Sequence, residues 1–270
     1  LYTCMIRADY LELKNLLPGG RRFGGMIQNE YGATTFVGYE KGECVTRVRA
    51  LVRDGAKVES LKEGEEGVVL LESSPFYAER GGQIGDTGLI QADGLLAVVK
   101  DSTHPFGELN MQTVTVTKGE LKGGQSVTAA IDMERHLSIA RNHTATHLLD
   151  AALKMVLGDH VSQAGSLVAP DRLRFDFTHF EAVSAEELAR IEGLVNAEVF
   201  AAEPIVTQVM GIEEAKASGA VALFGEKYGD VVRVVEMGDV SMEFCGGTHL
   251  DNTAKVGAFR ILAEFSGASG

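Results

Sequence analysis

Four residues of types that bind transition metals lie in two short motifs of this 270-residue chain. His143 and His147 are four residues apart, so on a helix their imidazoles would project from one face at neighbouring heights. Far downstream, Cys245 and His249 flank two glycines and a threonine, a segment with the freedom to fold around an ion. Three imidazoles and a thiolate are ligand types that favour zinc, and they complete a tetrahedral set. The sequence therefore predicts one Zn²⁺ per chain at these four residues.

Either motif alone would be weak evidence for a metal. Two histidines four residues apart are common by chance, and a single cysteine is more often a small buried hydrophobic residue. The combination is informative because the chain has only seven histidines and three cysteines. The first motif is not that of the zinc peptidases, because Thr144 stands where their glutamate base would be. Peptide hydrolysis is therefore disfavoured.

A long helix is predicted to position the two histidines of the first motif. Apolar and small residues recur every three or four positions, as on the buried face of an amphipathic helix: Met133, Leu137, Ala140, Thr144, Leu148, Ala151 and Met155. Asp132 is a suitable N-cap, and Gly158 follows the last periodic residue. A separate helix that begins at Asn142 is the alternative.

The rest of the C-terminal half predicts a mixture of helix and strand. A second helix, roughly 184–202, opens with Ser-Ala-Glu-Glu at 184–187, which has the pattern of a capping box. Strands are predicted at 231–235 and 259–263. Residues 132–270 are thus expected to form an α+β domain with helices packed on an antiparallel sheet.

Residues 31–131 have the pattern of many short strands, which predicts a small β-barrel. Apolar and polar residues alternate along 46–53 and again along 127–131. Turn dipeptides punctuate the region at Asp54-Gly55, Asp93-Gly94 and Gly123-Gly124. Residues 1–30 are expected to be an irregular lead-in. The fold class as a whole is α+β.

The composition is that of a globular protein, with 45% hydrophobic and 23% charged residues. We find no apolar stretch approaching the ~18 residues of a membrane span, so no membrane partner is expected. Three cysteines do not make a disulfide framework, and the cytoplasm is the expected location. The net charge of −13 argues against general nucleic-acid binding, so a tRNA-handling function needs a local basic patch or binding modules outside this chain. The first residue, Leu1, suggests a piece of a longer protein.

Five motifs together resemble the editing region of alanyl-tRNA synthetases and their free-standing AlaX relatives. They stand in the order of that family, at residues 75–83, 141–149, 162–166 with 173–177, 222–230 and 245–249. Arg80 and the Met-Glu-Phe segment at 242–244 depart from the family pattern. The editing domain of threonyl-tRNA synthetases is similar in its ligands, but it typically has proline where Thr248 stands and lacks the motif at 222–230.

The resemblance implies an enzyme that hydrolyses tRNA(Ala) wrongly charged with serine or glycine. It also implies that the chain is part of an alanine–tRNA ligase truncated at both ends, without the aminoacylation domain that uses ATP. Thr146, Gln163 and Cys245 are implied to serve catalysis, the first two by hydrogen bonding the serine hydroxyl, which alanine lacks. Contacts with tRNA are implied for Gly81, Gly82, Gln83, Arg141 and Arg174.

Simpler roles stand beside these expectations. Thr146 could bond the helix backbone, Gln163 could be an exposed loop amide, and the arginines could be solvated. The alternative functions are a free-standing AlaX-type deacylase, a non-catalytic zinc-stabilised tRNA-binding module, and an unrelated zinc hydrolase of small esters or amides. Four protein ligands close a zinc site, whereas catalytic zinc usually keeps an open position. Whether zinc acts in the chemistry, positions the tRNA or only stabilises the fold therefore stays open here.

Overall fold

The computed structural model describes residues 30, 32–104, 109–222 and 228–265. These residues form two compact units, one of residues 30–80 and 84–136, the other of residues 81–83 and 137–265. We propose that the units correspond to the two domains expected from the sequence, apart from the three-residue segment 81–83. The lead-in, except Glu30, and residues 223–227 of the fourth motif lie outside the described residues.

The first unit is built from short strands, as predicted. In chain order they are β1 (Thr35–Phe36), β2 (Glu43–Arg53), β3 (Ala56–Val58), β4 (Ser60–Lys62), β5 (Glu66–Leu71), β6 (Ser73–Ser74), β7 (Gly88–Ala92), β8 (Leu95–Thr103), β9 (Met111–Lys118), β10 (Glu120–Lys122) and β11 (Ser126–Ile131). Six of them pair antiparallel in the order β2-β11-β7-β8-β9-β5, and β5 pairs with β2 again. The sheet therefore closes on itself, which confirms the predicted barrel.

The alternation predicted for β2 holds only as far as Val48. Val48 and Leu51 lie in the main apolar core of the barrel unit, whereas Ala50 and Val52 are buried in a second apolar cluster, because the pairing register with β5 shifts between Val48 and Ala50. The turn after β2 is the predicted Asp54-Gly55, whose φ angles of 51° and 75° are left-handed at both positions. That conformation joins two strands through a two-residue hairpin without splaying them.

The second unit combines helices with two antiparallel sheets. Its elements are α1 (Met133–Leu157, whose first turn belongs to the first unit), β12 (Gln163–Val168), β13 (Leu173–Phe177), α2 (Ala185–Ala201), β14 (Ile205–Gly211), α3 (Ile212–Ala217), β15 (Val231–Met237), β16 (Ser241–Phe244) and the 3₁₀ helix η1 (Thr253–Val256). β12 pairs with β13, and β14, β15 and β16 form the other sheet. The α+β class is confirmed.

Both predicted helices begin where their caps stand. The backbone N–H of Arg135 donates to Oδ1 of Asp132 at 3.1 Å, and α1 then runs unbroken through Asn142. Ser184 and Glu187 form a reciprocal capping box at the start of α2. Both start signals are local, so the sequence predicted them correctly.

The strand predicted at 259–263 is wrong, whereas the strand predicted at 231–235 is part of β15. The N–H of Phe259 donates to Oδ1 of Asn196 at 2.9 Å, and the N–H of Ile261 donates to Oε2 of Glu192 at 2.8 Å. Side chains of α2 thus take the backbone donors that a neighbouring strand would need. In the part of the chain that the structure describes, no helix is long and apolar enough to cross a bilayer.

Candidate metal centre

The four predicted ligands converge in the second unit. Their ligand atoms, one from each side chain, all lie within 4.8 Å of one another. Sγ of Cys245 is 3.5 Å from Nε2 of His143 and 3.2 Å from Nε2 of His249. His143 and His147 are buried, and the other two are half-buried. Residues about a hundred positions apart therefore meet in one cluster that can hold a metal ion.

Two elements bring the ligands together. Helix α1 presents His143 and His147 one turn apart, with ring centroids separated by 5.3 Å. The Cys-Gly-Gly-Thr-His segment follows β16 and is held by Arg233 of β15. Nη1 of Arg233 donates to the carbonyls of Cys245 at 3.0 Å and Gly247 at 2.7 Å. These two hydrogen bonds fix the path of the glycine-rich segment.

The outer nitrogen of each histidine faces a polar group. Nδ1 of His143 lies 2.6 Å from Oε1 of Gln83, and Nδ1 of His249 lies 3.3 Å from Oγ1 of Thr144. Nδ1 of His147 lies 3.0 Å from Oε2 of Glu243, although the approach is not aligned for a hydrogen bond. Such partners fix the tautomer and orientation of metal-bound imidazoles. Nε2 of each ring is thereby left for the centre, so the residues fit a zinc ion.

The charges at the centre also suit a cation. Burial raises the pKa of the Cys245 thiol, but the three histidines outweigh it and the net pKa lies well below the usual value. Burial, followed by the charge of His143, lowers the pKa of His249 to about 3. Burial opposes protonation of His147, but the charges of Glu243 and Cys245 raise its pKa well above the usual value. A thiolate and a carboxylate therefore surround the imidazoles.

Gln83 reaches the centre from a tight loop. Gly81 and Gly82 have φ angles of 60° and 86°, and a Cβ on Gly82 would lie 2.3 Å from Oγ of Ser166. The fully buried Gln83 amide accepts from the N–H of Thr248 at 2.9 Å and donates to its hydroxyl at 2.8 Å. Gln83 thus ties the His143 ring to the segment that carries Cys245.

Replacing Gln83 with alanine is expected to weaken zinc binding by roughly 10- to 100-fold, because His143 and Thr248 lose their shared partner. Competition with a chromophoric chelator measures this affinity directly. Gln208→Ala is the matched control, since Gln208 is exposed on β14 of the same unit. Equal zinc affinity in the Gln83 variant and the parent would show that the amide does not orient the ligand.

The structure places Thr146 and Gln163 in different settings. The hydroxyl of the buried Thr146 donates to the carbonyl of Asn142 at 2.8 Å. This is the bond to the helix backbone that the sequence offered as the simpler role of Thr146. Nε2 of Gln163 donates to Oγ of Ser166 at 3.2 Å, and that hydroxyl lies 3.4 Å from the carbonyl of Gly81. Short contacts therefore lead from Gln163 through the glycine loop to the metal centre.

The predicted tRNA contacts stay predictions. Nε of Arg141 donates to the carbonyl of Lys255, and Nε of Arg174 pairs with the Asp176 carboxylate. Because the Gln83 side chain is buried and bonded, RNA could meet this loop only through Gly81 and Gly82.

Sequence reasoning missed three residues that support the ligands, namely Thr144, Arg233 and Glu243. Thr144 and Glu243 carried the only signal, because each lies beside a ligand motif. Arg233 carried none, since its role depends on strand pairing.

Two protein-family models match separate parts of the chain. The model described as tRNA synthetases class II (A) matches residues 23–135. The model described as threonyl and alanyl tRNA synthetase second additional domain matches residues 232–270. These two matches assign the chain to the class II tRNA synthetases.

The curated relatives of the chain indicate which family within that class it resembles. An alanine–tRNA ligase of Geobacillus kaustophilus is 49% identical over 241 residues, 89% of this chain and 27% of the relative. One from Carboxydothermus hydrogenoformans is 47% identical over 262 residues, 97% of this chain and 29% of the relative. The chain belongs to the alanyl-tRNA synthetase family. It spans less than a third of the length of these relatives.

Proposed function

We propose that this chain is the editing part of an alanine–tRNA ligase, a hydrolase that releases serine or glycine from wrongly charged tRNA(Ala). The observation that carries the proposal is the cluster of four candidate ligands, His143, His147, Cys245 and His249. A series of contacts through the glycine loop connects this cluster with Gln163. We place the reaction in the cytoplasm and assign ATP use to an aminoacylation domain outside this chain. A free-standing AlaX-type deacylase is less well supported, because the relatives are ligases.

When bound, zinc would supply a fixed positive charge beside the ester. The protein's own groups would hold that charge in place, since each imidazole has an outer partner and Cys245 supplies a thiolate. Glu243 faces His147, so it serves as a positioning residue rather than as a base. We therefore favour a role for the centre in placing the aminoacylated ribose.

Selectivity is assigned to Thr146 and Gln163. A hydroxyl and an amide can hydrogen bond the serine side chain, whereas alanine would leave the buried Thr146 and the half-buried Gln163 without a ligand partner. Each already has a weak or local bond that a ligand can replace: Thr146 to its own helix and Gln163 to Ser166 at 3.2 Å. The bound serine hydroxyl would thus exchange protein bonds for new ones.

Replacing Gln163 with leucine is expected to reduce the preference for Ser-tRNA(Ala) over Ala-tRNA(Ala) by roughly 5- to 100-fold, the cost of a lost buried hydrogen bond. Single-turnover release of each amino acid measures the preference, with Gln208→Leu as an exposed control. An unchanged preference would remove Gln163 from the pocket.

The same assay on the parent protein tests the function itself. Selective release of serine supports editing. Binding of tRNA without turnover would instead support a structural zinc module. Hydrolysis of simple esters with no action on charged tRNA would support an unrelated hydrolase.

A further inference from the structure

Three aromatic side chains, two exposed and one half-buried, form a surface cluster in the second unit, apart from the metal ligands. We call His160, His179 and Phe180 the aromatic platform. The rings of His160 and Phe180 have centroids 4.6 Å apart and planes 23° apart. The rings of His160 and His179 have centroids 5.1 Å apart and planes 19° apart. The rings are therefore nearly parallel to the central imidazole, and they present flat faces.

The platform is held in place by its own bonds. Nε2 of His160 lies 2.8 Å from Nδ1 of His179, a hydrogen bond between the two rings. Next to them, the N–H of Thr178 donates to the carbonyl of Ser162 at 3.0 Å, and the two hydroxyls are 2.9 Å apart. These bonds continue the pairing of β12 with β13 beyond its last strand residues. The rings are thus ordered without a ligand, which lowers the entropic cost of binding one.

The fold does not use the outermost ring. Phe180 is 86% exposed, so it contributes almost nothing to the core. Because its π-face meets solvent beside two further flat rings, the surface suits a planar ligand. Stacking on aromatic rings is how proteins bind unpaired nucleobases, and it tolerates any base because every base has a π-face.

The position of the platform relates it to the proposed reaction. The His160 ring lies against Gly158, directly after the C-terminal end of α1. Ten residues of helix, 148–157, lie between His147 and Gly158, and the eleven steps of the chain correspond to about 16 Å along the axis. A few nucleotides of single-stranded RNA can span that distance. Gln163, at the start of β12, lies three residues after His160.

We propose that the aromatic platform binds an unpaired nucleobase near the 3′ end of the tRNA, a few nucleotides before the esterified ribose. This proposal rests on the proposed function for the identity of the RNA. Acidic residues lie close by in the chain, at Asp159, Glu181 and Glu187. Phosphate attraction is therefore weak here, and stacking must supply the affinity.

The test is equilibrium binding of an uncharged acceptor-stem hairpin that ends in a single-stranded 3′ tail. Phe180→Ala is expected to weaken binding by roughly 5- to 100-fold, the usual effect of losing one base-stacking ring. Phe180→Tyr should retain binding. Phe200→Ala is the matched control, because Phe200 is equally exposed, at 86%, on α2. The loss should be similar at low and high salt and absent for a hairpin whose tail lacks its bases.

Equal binding by the Phe180→Ala variant and the parent, or an equal loss in Phe200→Ala, would overturn the proposal. So would undetectable binding at hairpin concentrations near 10⁻⁴ M, where even non-specific complexes form. Failure of the proposed function has a different signature, namely no serine release from Ser-tRNA(Ala). Binding that depends on Phe180 without such release would keep the platform as an RNA site and reject editing.

Discussion

Replacing Cys245 with alanine is expected to nearly abolish serine release while most of the fold survives. The thiolate is the one negatively charged member of the ligand set, and it lies within 3.5 Å of two imidazoles. Its loss should weaken zinc binding by more than the ~100-fold that removal of an outer partner can cause. The two hydrophobic cores contain many buried residues that do not touch the centre, so folding does not depend on the metal as it does in a zinc finger.

Thermal unfolding, zinc content and serine release should be measured on one preparation of the Cys245→Ala protein. Cys44→Ala is the matched control, since Cys44 is a half-buried free thiol of the barrel unit. A sharp fall in melting temperature, with activity lost only in proportion to the unfolded fraction, would indicate a structural ion. A fully active variant would remove Cys245 from the site.

Replacing Gly247 with alanine is expected to disrupt the metal centre by sterics alone. The added Cβ would lie 2.0 Å from Cε1 and 2.3 Å from Nδ1 of His143, and 2.8 Å from Oε1 of Gln83. Neither side chain can retreat without breaking the bond between them. Overpacking of this kind costs about 1–3 kcal/mol, and here the displaced groups are a ligand and its partner. Zinc affinity should fall roughly 10- to 100-fold.

Gly193→Ala is the matched control for this experiment. Gly193 lies within α2, and a Cβ there would meet nothing within 4 Å. Alanine in a helix interior should raise stability by about 0.5–1 kcal/mol. Chelator competition and urea unfolding measure the two effects separately. A Gly247→Ala protein with unchanged zinc affinity would mean that the loop has room which the structure does not show.

The sequence predicted the features that depend on local spacing. The two histidines of α1 and the caps at Asp132 and Ser184 each follow from neighbours a few residues away. The alternation predicted for β2 is wrong after Val48, because the register shift depends on pairing with β5. The convergence of both ligand motifs was predicted because the residue types are rare in this chain and chemically matched.

Features that depend on distant contacts were beyond the sequence. Gln83 stands in one of the five motifs, but its bond to His143 joins residues 60 positions apart. Residues 259–263 have the composition of a strand, and only the acceptors on α2 show why they do not form one. Arg233 carried no signal because its role arises from the register of β15. Periodicity reports on one element at a time, whereas these roles belong to pairs of elements.

The segment Gly81–Gln83 bears on how this region can be divided or transplanted. Its three residues stand within the barrel part of the chain, yet they group with the unit that carries the four candidate metal ligands. A protein engineer who excised residues 137–270 as a cassette would carry all four ligands and leave behind the acceptor for Nδ1 of His143. The functional module is therefore discontinuous along the chain. Natural recombination would face the same constraint, so barrel and centre are expected to be inherited together.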